Sequence, residues 1–288
     1  MWLVLGGHGQ LGKCLQLSLT SHGIAYTAVG SAEVDITDVA SVAAIMKQLT
    51  PDVVINAAAW TAVDDAESHE DEAYLINCVG ARNVARSAKE FSSKLVHVST
   101  DYVFSGASNV PFTEGHITAP VGAYGRTKLA GELAVHEEFP EQSLIVRTAW
   151  LYSEFGSNFA RTMVRKALAK APVRVVNDQL GQPTLATDLA DHILALVAAG
   201  TPVGTYHGTN AGQATWYDFA KEIYCLVGAD TALVTAVPSS EYPTRATRPA
   251  YSVLGHANTE RARVALMRPW LEALTESIPD IIARVDQE

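Results

Sequence analysis

The sequence predicts an α/β protein: a doubly wound parallel sheet with helices on both faces, and a smaller lobe formed by the C-terminal third. Three observations support this prediction. Short runs rich in valine and isoleucine alternate with longer segments of helical spacing, as strands buried beneath helices do. The alternation is regular to about residue 150 and looser beyond it. The 288 residues, 48% of them hydrophobic, suffice for one large domain and part of another.

The first part of the chain is predicted to consist of strands separated by helices. We expect Gly23 to cap the C-terminus of the first helix, and Thr37 or Asp38 to cap the N-terminus of the second. Pro51 marks the start of the third strand. One long helix is expected over EDEAYLINCVGARNVARSAKEF, and another contains Tyr124. The expected strands are WLVL, IAYTAVG, DVVINAAA, KLVHVST and SLIVRTAWLY.

Helices dominate the remainder of the chain. SNFARTMVRKALAKA, DLADHILALVAAG and the segment starting near WYDFAKEIYCLVG are predicted helices, and VRVVND is a predicted strand. A loop rich in proline, serine, threonine and arginine, VPSSEYPTRATRPAYSVL, precedes a closing helix. We therefore predict a larger domain of residues 1–150 with about 186–200, and a smaller lobe of about 151–185 and 201–288.

Composition narrows the classes of partner and compartment. The net charge of −10 argues against a nucleic-acid partner. No apolar run approaches the roughly 20 residues that span a bilayer, and MWLVLGGHG lacks the positive region of a signal peptide. Cys14, Cys78 and Cys225 are far apart and suit a reducing cytosol. We therefore expect a cytoplasmic protein without structural zinc.

A glycine-rich turn joins the first strand to the first helix. Gly6, Gly9 and Gly12 form a G-x-x-G-x-x-G motif within GGHGQLG. The first glycine permits a tight turn, the second lets a pyrophosphate approach the backbone, and the third lets the helix pack on the strand. The N-terminus of the helix offers N–H groups and a partial positive charge to the anion. We therefore predict a Rossmann-type NAD(P)-binding domain.

The end of the second strand bears on the choice of cofactor. An acid at this point usually holds the ribose 2′-hydroxyl of NAD, but AYTAVG ends in Gly30 and Ser31 without a carboxylate. No arginine is adjacent to attract a 2′-phosphate. The sequence therefore favours NADPH mildly and leaves NADH as a second cofactor. Asp35, in VDITD, is placed either to reach the adenine or to cap a helix, and the sequence does not separate these roles.

A catalytic group is expected at the carboxyl ends of the strands, where such sheets bind ligands. KLVHVST ends in Thr100, and Tyr124 and Lys128 lie one helical turn apart on one face of a helix. Free tyrosine has a pKa of about 10, and a nearby ammonium stabilises the phenolate and lowers that pKa. With the Thr100 hydroxyl bonded to a substrate carbonyl, Tyr124 can protonate the oxygen while a nicotinamide delivers hydride to the carbon.

These motifs resemble those of the extended short-chain dehydrogenase/reductase superfamily and, within it, the dTDP-4-dehydrorhamnose reductase family. The glycine loop and Tyr-x-x-x-Lys mark the superfamily, whereas STDYVFSG with NAAAWTAVD, NDQLGQPT and RPAYSVL is more specific. The resemblance runs over nearly the whole chain. The matching stretches are GGHGQLG, PDVVINAAAWTAVDDAE, HVSTDYVFSG, YGRTKLAGE, RTAWLY, GSNFARTM, NDQLGQPT, TWYDFA and RPAYSVL.

The resemblance implies reduction by NADPH of the C4 ketone of dTDP-4-dehydro-6-deoxy-L-mannose, a nucleotide sugar, to dTDP-L-rhamnose. Tyr124 would donate the proton, and Lys128 would hold the nicotinamide ribose and tune Tyr124. Trp150 could stack on a ring of the substrate, and Arg248 could pair with its diphosphate. The positions implied to contact substrate are Val63, Thr100, Asp101, Trp150 and Arg248. The positions implied to bind the cofactor are Gly6, Gly9, Gln10, Leu11, Gly12, Asp35, Ile36, Ala58, Ala59, Trp60, Thr61, Tyr124 and Lys128.

The chain departs from the family pattern at two positions. Trp60 stands where some members have histidine or tyrosine, which is a conservative change for a cofactor wall. Cys14 stands where some members have an acid that binds magnesium at a dimer interface. We therefore expect no metal site. A homodimer remains compatible with the resemblance, but the magnesium-linked form is in doubt.

Three other functions compete with this interpretation. A dehydratase of the superfamily would have Asp and Glu directly after the threonine, whereas Thr100 is followed by Asp101 and Tyr102. Another sugar-nucleotide reductase or an epimerase would use the same Tyr124 and Lys128, and an epimerase would keep its cofactor bound. A non-catalytic NADP-binding regulatory subunit, as is known for methionine adenosyltransferase, would retain the fold. The intact Thr100, Tyr124 and Lys128 favour catalysis.

Overall fold

A central six-stranded parallel sheet organises the computed structural model, which describes residues 1–287. The strands of the chain are β1 (Trp2–Leu5), β2 (Tyr26–Val29), β3 (Val53–Asn56), β4 (Lys94–Thr100), β5 (Ser143–Thr148), β6 (Leu151–Tyr152), β7 (Val173–Val176), β8 (Leu180–Gly181), β9 (Thr184–Leu185), β10 (Gly204–His207), β11 (Ala214–Thr215) and β12 (Val234–Val237). The sheet has the order β10-β5-β4-β3-β1-β2, and all its neighbours pair in parallel.

Helices cover both faces of this sheet. They are α1 (Gln10–Ser21), α2 (Val39–Leu49), α3 (Val63–Ala66), α4 (Glu70–Tyr74), α5 (Ala81–Glu90), α6 (Ala123–Glu138), α7 (Phe159–Leu168), α8 (Ala186–Ala198), α9 (Trp216–Val227), α10 (Ala257–Arg261) and α11 (Trp270–Val285). Successive side chains of a strand point to opposite faces. Val4 therefore packs in one hydrophobic layer with α1 and α8, while Leu3 and Leu5 pack in the other with α2, α5 and α6. The doubly wound sheet predicted from the sequence is confirmed.

A third hydrophobic cluster lies among α7, α9 and α11, apart from the two layers of the sheet. Its fully buried members include Ala160, Phe219 and Leu274, one from each helix. The short parallel pair of β7 and β12 packs against this cluster through Val175 and Val234. Because α7, α9, α11, β7 and β12 share a hydrophobic core that is separate from that of the sheet domain, we propose that they form the smaller lobe.

Residues 204–207, which the predicted division assigns to the smaller lobe, lie in the central sheet instead. They form β10, which pairs in parallel with β5 at the edge of the central sheet. The segment GTYHGTN has no run of valine or isoleucine, so its composition did not identify a strand. The side chains of Tyr206 and His207 are buried in the fold, and this burial stabilises a strand that the local composition does not predict. The remaining boundaries stay a proposal.

Two predicted elements are interrupted in the structure. The long helix over residues 70–90 contains a π-helical segment, Leu75–Gly80, between α4 and α5. The strand predicted over SLIVRTAWLY ends at Thr148, because Trp150 has a φ of 45°, which an extended strand does not accommodate. Among the predicted caps, Asp38 rather than Thr37 bonds the N-terminus of α2, and Gly23 follows α1 with a φ of 66°. Within the described residues, no helix combines the length and apolar character that crossing a membrane requires.

Candidate active site

A cavity of about 490 Å³ opens where the carboxyl ends of β1, β3, β4 and β5 meet the smaller lobe. This is the position at which parallel sheets bind ligands. Thirteen of the residues singled out from the sequence line it. They are Gly6, Gly9, Gln10, Leu11, Gly12, Ala59, Thr61, Val63, Thr100, Asp101, Tyr124, Lys128 and Trp150.

The glycine loop has the geometry of a phosphate cradle. Gly6 has a φ of 81°, and a Cβ on Gly12 would lie 2.2 Å from the Gly6 carbonyl oxygen, so neither position accepts a side chain. Gly9 is the N-cap residue of α1, and no side chain caps this helix terminus. The backbone N–H groups and the helix dipole are therefore free to receive an anion. These residues fit the pyrophosphate of a dinucleotide.

The end of β2 carries a carboxylate that the sequence analysis missed. Glu33 Oε2 accepts a hydrogen bond from the Gly30 N–H at 2.8 Å, and Glu33 Oε1 lies 3.7 Å from His8 Nε2. The sequence places Gly30 and Ser31 at the end of this strand without an acid, and Glu33 follows them. The turn after β2 folds it back, so that premise for the choice of cofactor is wrong.

Two residues predicted at the cofactor lie outside the cavity in the segment after β2. Asp35 is exposed, and its Oδ1 accepts hydrogen bonds from both the N–H and the hydroxyl of Thr37. Ile36 is buried, and a Cβ on Gly80 would lie 2.6 Å from its Cδ1. Asp35 therefore stabilises a turn and Ile36 packs in the core, while their roles toward a cofactor stay predictions.

Trp60 and Ala58 also lie beside the cavity rather than on its wall. The buried Asn77 side chain accepts from the Trp60 N–H at 2.9 Å and donates to the Trp60 carbonyl at 3.2 Å. The same amide donates to Thr127 of α6 at 3.0 Å. Asn77 comes from the π-helical segment, so this irregular turn ties the loop after β3 to the helix that carries Tyr124. The Asn56 side chain accepts a hydrogen bond from the Ala58 N–H at 3.2 Å.

Burial dominates the electrostatics of the predicted proton donor. It raises the pKa of Tyr124 above its usual range, and the Thr100 hydroxyl only partly offsets that effect. Thr100 in turn donates to Asp101 Oδ1 at 3.0 Å, and burial raises the pKa of Asp101 to about 6. A phenol with a raised pKa is fully protonated at neutral pH. It can therefore serve as the acid for a carbonyl oxygen that is gaining negative charge.

Lys128 does not act on Tyr124 in the way that the sequence suggested. Its Nζ donates to the Val98 carbonyl at 2.7 Å, at the end of β4. Burial lowers the pKa of Lys128 to about 8, and the carboxylate of Glu132 opposes that effect. The expected lowering of the Tyr124 pKa by this ammonium is not seen: burial raises that pKa, and the group that opposes the rise is the Thr100 hydroxyl rather than Lys128.

The glycines on either side of Tyr124 permit close packing of α6. A Cβ on Gly122 would lie 2.8 Å from Glu67 Oε1, which accepts from the Ala123 N–H at 2.8 Å and so caps the helix. A Cβ on Gly125 would lie 2.2 Å from the Tyr102 carbonyl oxygen. A side chain at Gly122 would displace the carboxylate that caps α6, and one at Gly125 would push the first turn of α6 away from the backbone of Tyr102.

An aromatic wall formed by Trp150 and two residues of α9 completes the cavity. The indole of Trp150 stacks on Trp216 with ring centroids 3.7 Å apart and an angle of 10° between the planes. Phe219 lies behind Trp216, and both line the cavity. A Cβ on Gly181 would lie 2.5 Å from Trp150, so this glycine makes room for the indole. Trp216 and Phe219 were not predicted, although the aromatic run WYDFA was visible in the sequence.

Arg248 lies outside the cavity, with its charge already paired. Its guanidinium donates to Asp64 Oδ2 at 2.6 Å and to the Tyr102 hydroxyl at 3.0 Å. The ring of Tyr102 meets that of Tyr124 edge to face, with centroids 5.5 Å apart. Arg248 therefore supports the wall behind Tyr124. Its contact with a substrate diphosphate stays a prediction, and it would require the diphosphate to replace Asp64 as the partner of the guanidinium.

Comparison with known proteins decides the family. A family model described as the RmlD substrate binding domain matches residues 1–282. A dTDP-4-keto-6-deoxy-D-glucose reductase of Streptomyces niveus is 46% identical over 278 residues, which are 96% of each chain. A dTDP-4-dehydrorhamnose reductase of Streptomyces griseus is 45% identical over 98% of this chain and 94% of its own.

The chain belongs to the dTDP-4-dehydrorhamnose reductase family.

Solved structures of the same family share the whole fold. A dTDP-4-dehydrorhamnose reductase from Clostridium acetobutylicum superposes with a TM-score of 0.92 at 41% identity, covering 96% of this chain and 98% of its own. The enzyme from Bacillus anthracis, solved in complex with NADP, gives 0.93 at 37% identity, covering 97% and 98%. The resemblance found in the sequence and the Rossmann-type fold of this dTDP-4-dehydrorhamnose reductase family member are thereby confirmed.

Cys14 is buried in α1. Burial raises the pKa of its thiol to about 11, and the hydroxyls of Thr187 and Ser153 oppose that effect. A thiol of this kind stays protonated and is a poor metal ligand. Among residues 1–287, no three or more His, Cys, Asp or Glu side chains are grouped to hold a metal ion.

Proposed function

We propose that the protein reduces the C4 ketone of dTDP-4-dehydro-6-deoxy-L-mannose with NADPH to form dTDP-L-rhamnose. One observation carries the proposal: the phosphate cradle and the Thr100, Tyr124 and Lys128 group share one cavity. Support comes from relatives named dTDP-4-dehydrorhamnose reductase that match almost the full chain, one of them 45% identical. The Bacillus anthracis relative in complex with NADP supports the cofactor.

In this proposal each catalytic side chain has a separate task. A reduced dinucleotide held by the glycine loop and Lys128 would supply the hydride that the ketone carbon requires. Tyr124, protonated at neutral pH, gives its hydroxyl proton to the ketone oxygen as that oxygen gains charge. Thr100, whose own proton is directed to Asp101, lies beside the phenol and fixes its position. Lys128, anchored to β4, binds the ribose next to the reacting carbon, and the stacked Trp150 and Trp216 exclude water.

A second candidate substrate is favoured by a specific relative. The protein from Streptomyces niveus, 46% identical, is named a dTDP-4-keto-6-deoxy-D-glucose reductase. That reaction requires the same hydride and proton, delivered to a sugar of different configuration. Trp150 and Trp216 form the wall that would face either sugar, and their stack does not by itself select between them.

Purified protein supplied with each keto sugar and each reduced nicotinamide separates these functions. We expect consumption of NADPH in equal amount to the sugar, with dTDP-L-rhamnose as the product that chromatography identifies. Consumption with the D-configured sugar alone would establish the second candidate instead. Interconversion of sugars without net loss of NADPH would indicate an epimerase. Binding of NADPH without turnover of either sugar would indicate a regulatory subunit.

Glu33 gives a prediction about the choice of cofactor. Its carboxylate lies at the end of β2, where it would repel a 2′-phosphate. Glu33→Gln should therefore raise the ratio of kcat/KM for NADPH to that for NADH by about tenfold, since one like charge near the phosphate is removed. Steady-state kinetics with both cofactors measure the ratio. Glu141→Gln, which removes an exposed acid elsewhere, is the matched control, and an equal change in both variants would contradict the prediction.

Lys128 gives a prediction about pH. Burial lowers its pKa from the ordinary value of 10.5 to about 8, so the ammonium is present below that pH and lost above it. The dissociation constant for NADPH should therefore rise about tenfold as pH passes upward through this value, as one charge-assisted hydrogen bond is lost. Fluorescence titration at pH values on both sides of 8 measures it. Lys128→Met should bind weakly at every pH, without the step; a flat profile for the parent protein would refute the assignment.

A further inference from the structure

Asn158 connects the smaller lobe to the phosphate cradle. It is the N-cap residue of α7, and its Oδ1 accepts from the Arg161 N–H at 3.0 Å. Its Nδ2 donates to Gln10 Oε1 at 2.7 Å and to the Ser153 carbonyl at 2.8 Å. One side-chain amide therefore caps α7, bonds to the loop that precedes this helix, and bonds to Gln10 in the sheet domain. Both hydrogens of the Asn158 amide are committed to these contacts.

Gln10 is the first residue of α1 and directly follows Gly9 at the terminus that would receive the pyrophosphate. A phosphate bound there fixes the first turn of α1, because it is held by the N–H groups of that turn. The Gln10 side chain is part of the same turn. Its orientation is therefore tied to occupancy of the cradle, and Asn158, which also lines the cavity, bonds to it.

The loop that Asn158 folds extends to the substrate wall. It begins three residues after Trp150, whose indole stacks on Trp216. Phe155 in this loop lies between the Lys13 ammonium of α1, at 5.4 Å, and the Arg284 guanidinium of α11, at 5.2 Å. The segment from Trp150 to Asn158 thus touches the stacked indoles at one end and the cofactor helix at the other.

We propose that Asn158 is a positioning residue that couples the two ligand sites, so that a dinucleotide and a nucleoside diphosphate each strengthen the binding of the other. The proposal rests on the function proposed above. The first ligand orders α1, Gln10 and the loop through Asn158, and the second ligand then binds to a wall that is already ordered. Such coupling is reciprocal: either ligand changes the affinity for the other by the same factor.

Titration of the full chain with NADP⁺, in the absence and presence of saturating dTDP, tests this inference without turnover. For the parent protein we expect dTDP to lower the dissociation constant for NADP⁺ about fivefold or more, which is within the usual range of coupling. Asn158→Asp keeps the acceptor that caps α7 and the shape of the side chain, but has no N–H to give to Gln10 Oε1, so a bond forms only if the Gln10 amide turns over and donates instead. Asn158→Ser keeps a capping hydroxyl and is too short to reach Gln10. Asn158→Ser should bring the ratio close to one, and Asn158→Asp should lower it.

Controls separate coupling from loss of fold. Asn109→Asp adds the same charge in an exposed loop and should keep the parent ratio. Melting curves identify any unfolding of Asn158→Asp, in which case the neutral, capped Asn158→Ser variant decides. A ratio of one in the parent protein, or a parent-like ratio in both Asn158 variants, overturns the coupling role alone. Failure of the parent protein to bind NADP⁺ overturns the proposed function and the coupling with it.

Discussion

Replacing Tyr124 by phenylalanine should lower kcat about 10²–10⁴-fold, the usual contribution of a positioned general acid. The ring still fits against Tyr102, but no hydroxyl remains beside Thr100 to give a proton to the ketone oxygen. The dissociation constant for NADPH should stay near the parent value, because the glycine loop and Lys128 are intact. Steady-state kinetics for kcat and fluorescence titration for the cofactor measure the two effects separately.

The control for this variant is Tyr242→Phe, which removes a hydroxyl from an exposed tyrosine outside the cavity and should leave kcat unchanged. Undiminished turnover of Tyr124→Phe would show that another group supplies the proton. A large loss of NADPH affinity in the same variant would instead assign Tyr124 to cofactor binding. The two outcomes lead to different mechanisms, so both constants have to be measured.

The largest effect on stability is expected at the ion pair between α6 and β5. Arg147 Nε and a terminal nitrogen bond the two carboxylate oxygens of Glu132 at 2.9 and 2.6 Å, and both side chains are buried. Glu132→Ala leaves the Arg147 charge buried without its partner. It should therefore lower the free energy of unfolding by about 3–5 kcal/mol, which urea denaturation measures. It should also lower the pKa of Lys128 further, since the Glu132 charge raises it.

Two further variants isolate the cause. Glu70→Ala breaks a similar bidentate pair with Arg126, at 2.8 and 2.6 Å, but those side chains are nearly half exposed. Its cost should be about 1 kcal/mol or less. Replacing both Glu132 and Arg147 by methionine removes the buried charges together and should recover much of the lost stability. A double variant as unstable as Glu132→Ala would mean that shape rather than charge sets the cost.

The features predicted correctly from the sequence follow from local rules. Gly6, Gly9 and Gly12 lie within one strand–turn–helix unit, whose geometry the spacing itself defines. Tyr124 and Lys128 share a face because an α-helix places residues four apart on one side. Thr100 ends a central strand, and parallel strands bring their carboxyl ends to one edge of the sheet. None of these predictions needed knowledge of contacts between distant segments.

Two of the errors come from contacts between distant segments of the chain, and one comes from a local turn. Glu33 was overlooked because the turn after β2 brings its carboxylate back to Gly30, three residues earlier. Trp216 was overlooked because its partner, Trp150, lies 66 residues earlier in the sequence, and no spacing rule relates them. The pairing of Arg248 with Asp64 was overlooked because the two residues lie 184 positions apart in the sequence. Such pairs are set by packing of the lobe on the sheet.

The amino-acid sequence by itself determined the alternating fold, the glycine turn between β1 and α1, and the face of α6 that Tyr124 and Lys128 share, because each depends on periodicity or on neighbours within one element. Only the tertiary structure decided the electrostatic environment of Tyr124. Burial raises the pKa of Tyr124, whereas the nearby lysine had suggested the opposite, and Lys128 bonds to β4 instead. The free energy of an ionised group depends on all the water that folding removes around it, and no local pattern of residues contains that quantity.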